Sequence, residues 1–298
     1  MDWIMKEITY IGIGASAGGL KALKELLRLI PVNDSFVYII FQHLSKEYKS
    51  QMPTLLSNVT SMPIIVPDEE IEFHGGNIYI VPPVFSLTIK NQQLFVTKNS
   101  PELAGPHPSI DQGFVTLAQI PNSKSIGIIL SGTGHDGVEG LKSIHTMGGI
   151  TIAQLPSEAD FEGMTREAIN AHIVDHVLPS VSIAQILHIF AKGKNNSESD
   201  LLEGIRILLR NNEELDLNNY KEKTVWRRIK KRMLMLHIDT IENYFIYLIH
   251  HKDESRLLYQ DLLIGVTCFF REKEAFTSLS NILREKVLDK PRDKEFRI

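Results

Sequence analysis

Ile8–Ile13 is an apolar, partly β-branched run, and apolar residues return at Leu20, Leu23, Leu26, Leu27 and Ile30. The first pattern predicts a buried strand, the second an amphipathic helix. The alternation continues. Strands are predicted at Phe36–Phe41, Pro63–Pro67, Asn77–Val81, Ser125–Leu130, Ile150–Ala153 and Ile173–Leu178, with a hairpin formed by Val84–Ile89 and Leu94–Lys98 around Asn91-Gln92. Helices are predicted at Glu47–Asn58, Val138–Met147, Met164–Ala171 and Ser180–Lys192. Another runs from its cap Ser109 to Gln119, with Asp111 in the first turn. Repeated strand-helix-strand order predicts an α/β fold, a doubly wound, mostly parallel sheet with helices on both faces. After a polar stretch, Gly193–Ser199, only helical patterns remain: Asp200–Asn211, Asn219–Leu236, Ile241–His250, Glu254–Ile264 and Lys273–Glu285. The expected organisation is an α/β domain over 1–192, a linker over 193–199, and a small all-α helical domain over 200–298.

The turn between the first strand and the first helix carries two overlapping motifs. Gly12-x-Gly14-x-x-Ala17 fits a dinucleotide fingerprint, and Gly14-x-Ser16-x-Gly18 fits a nucleophile elbow. A dinucleotide site wants an acidic residue at the tip of the second strand to hold the ribose. That strand ends instead in Gln42-His43-Leu44-Ser45, which disfavours nicotinamide and supplies a base. A serine hydroxyl needs a base to take its proton, and a carboxylate to orient that base. Ser16 as nucleophile, His43 as base and Asp136 as orienter all follow the carboxyl ends of predicted strands, where α/β sheets bind ligands. The Ala17 N–H at the helix start and N–H groups around Gly132 and Thr133 are candidate oxyanion donors. Plainer roles stay open to each member: helix cap for Ser16 and Asp136, backbone-bonded strand end for His43. His135 is a rival base, though its neighbour Asp136 implies that it points elsewhere. His43, His74, His107 and His135 match no HExxH or CxxC spacing, so no metal is expected.

Composition narrows the class. Hydrophobic residues make up 43% and charged residues 23%, as in an ordinary globular protein. No apolar run is long enough to span a bilayer, and the N-terminus has no signal-peptide pattern, so direct membrane insertion is not expected. A single cysteine, Cys268, leaves no intrachain disulfide and fits a cytoplasmic location. At a net charge of −4, positive charge matters only where it clusters. It does so at Lys221, Lys223, Arg227, Arg228, Lys230, Lys231 and Arg232, with Glu222 the one acid among them. Val225, Ile229, Met233 and Leu236 form the buried stripe of that helix. No aromatic platform accompanies the charges, which disfavours nucleic acid.

Ile13-Gly-Ala-Ser-Ala-Gly-Gly19, Phe41-Gln-His-Leu-Ser45, Pro108-Ser-Ile-Asp111, Leu130-Ser-Gly-Thr-Gly-His-Asp-Gly137 and Gly148-Gly-Ile-Thr-Ile-Ala-Gln154 resemble the CheB family, the catalytic domain of chemotaxis protein-glutamate methylesterases. The resemblance covers about residues 7–190. It implies that Ser16, His43 and Asp136 match the family's triad. It also implies hydrolysis of γ-methyl-glutamyl esters on chemoreceptors with release of methanol, deamidation of receptor glutamines, and no cofactor. Gly163-Met164 resembles a family segment lining the cleft, with Thr165 where proline is commoner.

Tyr220–Met233 and Leu263-Ile-Gly-Val-Thr-Cys-Phe-Phe-Arg-Glu272 are similar to the N-terminal domain of the CheR methyltransferase family, which often has Asn where Gly265 stands. Thr267 and Arg271 match positions near the methyl donor. The chain thus looks like a CheB–CheR fusion ending before the S-adenosylmethionine-binding domain, so that cofactor is expected only in a full-length transferase. No receiver domain is expected to gate the esterase. The implied partner is the cytoplasmic domain of a methyl-accepting chemoreceptor, with Lys223, Arg227, Arg228, Lys230 and Lys231 as the docking face. The competing reading is a receptor-docking module whose esterase domain is inactive.

Overall fold

A computed structural model describes residues 8–43, 51–83, 85–90, 93–98, 108–121, 125–213, 217, 220–263, 278 and 280–281. The elements run β1 (Thr9–Ala15), α1 (Gly19–Leu27), β2 (Phe36–Gln42), α2 (Met52–Ser57), β3 (Ile64–Ile65), β4 (Ile71–Glu72), β5 (Asn77–Ile80), β6 (Phe85–Lys90), β7 (Gln93–Lys98), α3 (Ile110–Ala118), β8 (Ser125–Ile129), α4 (Val138–Thr146), β9 (Ile150–Gln154), α5 (Gly163–Asn170), β10 (His176–Leu178) and α6 (Ser180–Lys192). Then come α7 (Glu198–Glu213), α8 (Glu222–Met235), α9 (Ile241–His250) and α10 (Lys252–Leu263).

Seven strands form one sheet in the order β10-β9-β8-β1-β2-β5-β3. Every pairing in it is parallel. The chain winds outward from β1 through β2, then returns to place β8 on the other side of β1. The carboxyl end of β1 is therefore the switch point, where a crevice opens between diverging connections. Side chains alternate across the sheet. Ile11, Ile13, Tyr38, Ile40, Ile126 and Ile128 pack in one core with α1 and α6. Val37, Ile39, Phe41 and Ile129 pack in the other with α3. The predicted doubly wound sheet with a helical region after it is the observed architecture.

On the α3 side the sheet uses glycine to let the helix approach. A Cβ on Gly12 would lie 2.7 Å from atoms of Leu117 and Phe114, and one on Gly14 would lie 2.6 Å from Ile110. Two of the small residues of the apparent dinucleotide fingerprint are thus accounted for by helix packing. A second, antiparallel sheet in the order β4-β7-β6 shares this core through Phe85, Leu87, Leu94 and Val96.

Several boundaries differ from the sequence reading. The second helix begins at Met52, and residues 47–50 of the predicted Glu47–Asn58 span lie outside the described residues. The hairpin turn Asn91-Gln92 also lies outside them. Pro63–Pro67 contracts to Ile64–Ile65, and β4 is additional. The last strand starts at His176; just upstream the Asp175 N–H donates to the Thr151 carbonyl at 3.0 Å and the Asp175 carboxylate accepts from the Thr151 N–H at 2.8 Å. Most of Gly193–Ser199 is not an open linker: Gly193–Asn195 is a 3-10 turn and α7 starts at Glu198. The predicted helix Lys273–Glu285 falls almost wholly outside the described residues.

The helical region is docked against the sheet. Leu201, Ile205 and Leu208 of α7 and Phe245 and Ile249 of α9 belong to the same buried core as α1 and α6. Gly204 permits the approach, since a Cβ there would meet Ile189 and Phe245 at 2.6 Å. His176 on the edge strand is 2% exposed and hydrogen-bonds through Nε2 to the Ile249 carbonyl at 2.9 Å. Beside this seam a cleft of about 770 Å³ lies between Gly148, Gly149 and Asp175, which precede β9 and β10, and His237, Asn243 and Tyr247. The seam therefore lies toward the amino ends of the strands, opposite the end that carries Ser16.

Candidate active site

Strand pairing brings the three predicted side chains together. β1 lies between β2 and β8, so the residues just past their carboxyl ends converge. Ser16 follows β1, His43 follows β2 and Asp136 lies in the turn after β8. Main-chain bonds extend both ladders past the strand ends: the His43 N–H donates to the Ala15 carbonyl at 3.3 Å and the Ser16 N–H to the Ser131 carbonyl at 3.0 Å. The Ser16 carbonyl accepts from Gln42 Nε2 at 2.8 Å and from the Gly19 N–H at 2.9 Å. With its backbone held on both sides, Ser16 presents its Oγ to His43 Nδ1 at 3.2 Å. The other ring nitrogen, Nε2, lies 2.7 Å from Asp136 Oδ2. Ser16 does not cap α1; the residue before that helix is Gly18, at φ 71°, a left-handed conformation that glycine adopts without strain.

Asp136 is fixed by more than histidine. Its Oδ2 accepts the Ile110 N–H at 2.9 Å and its Oδ1 the Asp111 N–H at 3.0 Å. These are among the first amides of α3, which lack partners within their own helix. Asp111 returns the arrangement: its Oδ1 accepts the Gly137 and Gly140 N–H groups, at 2.9 and 2.8 Å, at the start of α4. The two carboxylates thus cap each other's helix, and Asp136 does not cap its own. Burial raises the Asp136 carboxyl, but hydrogen bonds from His43, Asp111 and Ile110 and the charge of His43 together outweigh it and hold the group below its ordinary value. Burial pushes Asp111 up, aided by the neighbouring Asp136 charge and opposed by the Gly140 and Gly137 amides. An ionised Asp136 favours the tautomer with the proton on Nε2, which leaves the Nδ1 lone pair facing the serine hydroxyl.

The proposed oxyanion donors divide. The Gly132 N–H is taken by the Phe161 carbonyl at 2.9 Å, so it cannot serve. Among the described residues the N–H groups of Ala17 and Thr133 make no hydrogen bond, and Thr133 sits exposed at the rim. Gly132 instead makes room: a Cβ on it would lie 2.0 Å from Met164 Sδ and 3.0 Å from Ser16 Cβ. Ser131 is buried and ties the region together, its hydroxyl donating to the Ala17 carbonyl at 2.9 Å and accepting the Phe161 N–H at 3.0 Å. Ser131 follows β8 and precedes Gly132, a strand-tip glycine turn that marks it in the sequence, whereas Asp111 has only the signal of an acidic residue in the first turn of a helix.

The basic cluster is less uniform than its sequence suggests. Lys223, Arg227 and Lys230 are exposed on α8. Lys231 Nζ is 2.8 Å from Asp261, Arg228 is half-buried, and Arg232 is buried against Glu254. Thr267 and Arg271 lie outside the described residues. Among the described residues no three His, Cys, Asp or Glu side chains are grouped to hold a metal ion, and no helix is long and apolar enough to cross a membrane.

Comparison with known proteins finds matches for both parts of the chain. The CheB methylesterase family model matches residues 11–187, and the CheR methyltransferase all-alpha domain matches residues 200–263. An uncharacterized 104.1 kDa protein of Rhodobacter capsulatus is 30% identical over 270 residues, covering 80% of this chain and 28% of its own length. A putative protein-glutamate methylesterase/protein-glutamine glutaminase of Leptospira interrogans is 34% identical over 59% of this chain and 91% of its own. The protein-glutamate methylesterase FrzG of Myxococcus xanthus is 32% identical over 59% of this chain and 53% of its own. The chain thus spans about half of the Myxococcus protein and under a third of the Rhodobacter one. The crystal structure of the Thermotoga maritima CheB methylesterase catalytic domain superposes with a TM-score of 0.57 at 26% identity, covering 61% of this chain and 97% of that one. A family match over more than half its length, on the sheet that carries the Ser16–His43–Asp136 cluster, makes this chain a member of the CheB methylesterase family, with a CheR-type all-alpha region after it.

Proposed function

We propose that the chain hydrolyses γ-methyl esters of glutamyl side chains on the cytoplasmic domain of a methyl-accepting chemoreceptor. The observation that carries this reading is the continuous hydrogen-bonded path from Ser16 Oγ through His43 to Asp136. Ser16 Oγ attacks the ester carbonyl carbon as its proton moves to His43 Nδ1. The carbonyl oxygen becomes an oxyanion beside the Ala17 and Thr133 N–H groups, and Asp136 stabilises the imidazolium. Collapse breaks the bond to the methoxy group, which leaves as methanol with the proton from Nδ1. Water then gives its proton to Nδ1 and attacks the glutamyl ester on Ser16. The serine departs with that proton, leaving a glutamate carboxylate. On a glutamine side chain the same sequence would release ammonia, in keeping with the glutaminase name of the Leptospira relative. These steps need no cofactor; in this reading S-adenosylmethionine serves a full-length transferase alone. The names of the relatives support the substrate class.

Methanol release from methylated receptor tests the proposal. The rate should fall at least ~1,000-fold in Ser16→Ala. Equal rates in the two proteins would instead favour a docking module without esterase activity.

A further inference from the structure

Ser16 opens onto a cleft of about 550 Å³ whose wall is the outer side of α1: Lys21, Lys24, Glu25 and Arg28, with Gln42 at the floor. Lys21, Lys24 and Arg28 are three and four residues apart, so they share one side of the helix and point along the same cleft. Lys21 is already committed, its Nζ lying 2.6 Å from Asp160 in the loop before α5, and Glu25 sits among the basic groups. Lys24 and Arg28 form no ion pair among the described residues, which leaves two uncommitted positive charges on the approach to the nucleophile.

We propose that this row on α1 receives an acidic segment of the protein substrate, the residues flanking the reacting glutamyl ester. The inference rests on the esterase reading for the identity of the ester. Its own grounds are that nucleophile and cations line one cleft, so whatever presents the ester at Ser16 must continue past them. From Lys21 to Arg28 the helix rises about 10 Å, a length that an extended peptide covers in about three residues. Carboxylates within a few residues of the ester therefore meet Lys24 and Arg28, whereas a neutral flank leaves both unpaired. Such pairs are solvent-exposed, so they act on encounter and register more than on depth of binding, and salt screens them.

The test measures binding without turnover. In a Ser16→Ala background, affinity at low salt is compared for two labelled peptides that carry the same glutamyl methyl ester, one flanked by glutamates and one by glutamines. The acidic peptide should bind about tenfold tighter. Adding Lys24→Glu with Arg28→Glu should abolish that preference, while Lys24→Arg with Arg28→Lys should keep it. Equal binding of both peptides before any charge reversal would overturn the proposal. So would a preference that survives reversal on α1 but is lost on reversing Arg227 and Lys230 of α8. Methanol release decides the esterase reading separately, because turnover does not enter this measurement.

Discussion

In the proposed mechanism Asp136 orients His43 with the same carboxylate that holds the start of α3. One oxygen meets both His43 and an α3 amide, and the other meets the next amide. Asp136→Asn should therefore lower kcat by about 10³–10⁴-fold through the wrong histidine tautomer, yet keep one acceptor for the helix. Asp111→Ala removes the acceptor of two buried amides of α4. It should cost about 1–3 kcal/mol in urea unfolding, and because α3 and α4 are tied through this pair, activity should fall with it. At this scale the sequence carried much of the site. Ser16, His43 and Asp136 each lie in the connection that follows a predicted strand, two of them in glycine-marked turns. The oxyanion side was less legible. Whether the Gly132 N–H is free depends on the Phe161 carbonyl, which arrives from a different loop, and no local pattern announces it.

Among the elements, α8 gives the largest departure from a reading by charge alone. Arg232 counts as a basic residue of an exposed helix, yet Nε and a terminal nitrogen reach Glu254 at 2.8 and 2.6 Å, and Tyr244 donates to the same carboxylate at 2.8 Å. The side chain is one helical turn beyond Ile229 and continues its buried stripe, so helical periodicity, rather than composition, determines its place. Arg232→Ala would strand a buried carboxylate and should cost about 3–5 kcal/mol in equilibrium unfolding. If a receptor docks on this helix, as the sequence suggests, only its exposed groups are available for the contact. Arg227→Glu with Lys230→Glu should weaken receptor binding at low salt, and the difference should shrink as salt rises. The long strands were legible because their five to seven residues are rich in β-branched and aromatic side chains and too short for a buried helix. The two-residue strands β3 and β4 are too short for a period to appear.

For the whole molecule, the polar stretch after α6 leaves open in the sequence whether the helical region touches the α/β domain; in the structure α6, α7 and the edge strand share one core. The apolar face of α7 is visible in the sequence; that it covers β10 is a tertiary fact with no local signature. His176 lies in that joint. Burial lowers its pKa below the ordinary 6.5, Asp175, the Ile249 carbonyl and Asn212 oppose this, and Lys252 adds to it. The folded state thus holds fewer protons on this group than the unfolded chain. Its contribution is complete above pH 6.5 and is lost as pH falls below that value, by up to about 1.4 kcal/mol per pH unit. The melting temperature should drop between pH 7.5 and pH 5.5, and His176→Gln, which keeps a donor for Ile249, should flatten the slope. All of this scaffolding positions one hydroxyl, and the central claim is that His43 makes that hydroxyl nucleophilic. A serine-reactive phosphonate, with the adduct located by peptide mass mapping, reads this directly. The account predicts a single adduct on Ser16, forming at least ~1,000-fold more slowly in His43→Ala; labelling elsewhere, or at the same rate without the histidine, would contradict it.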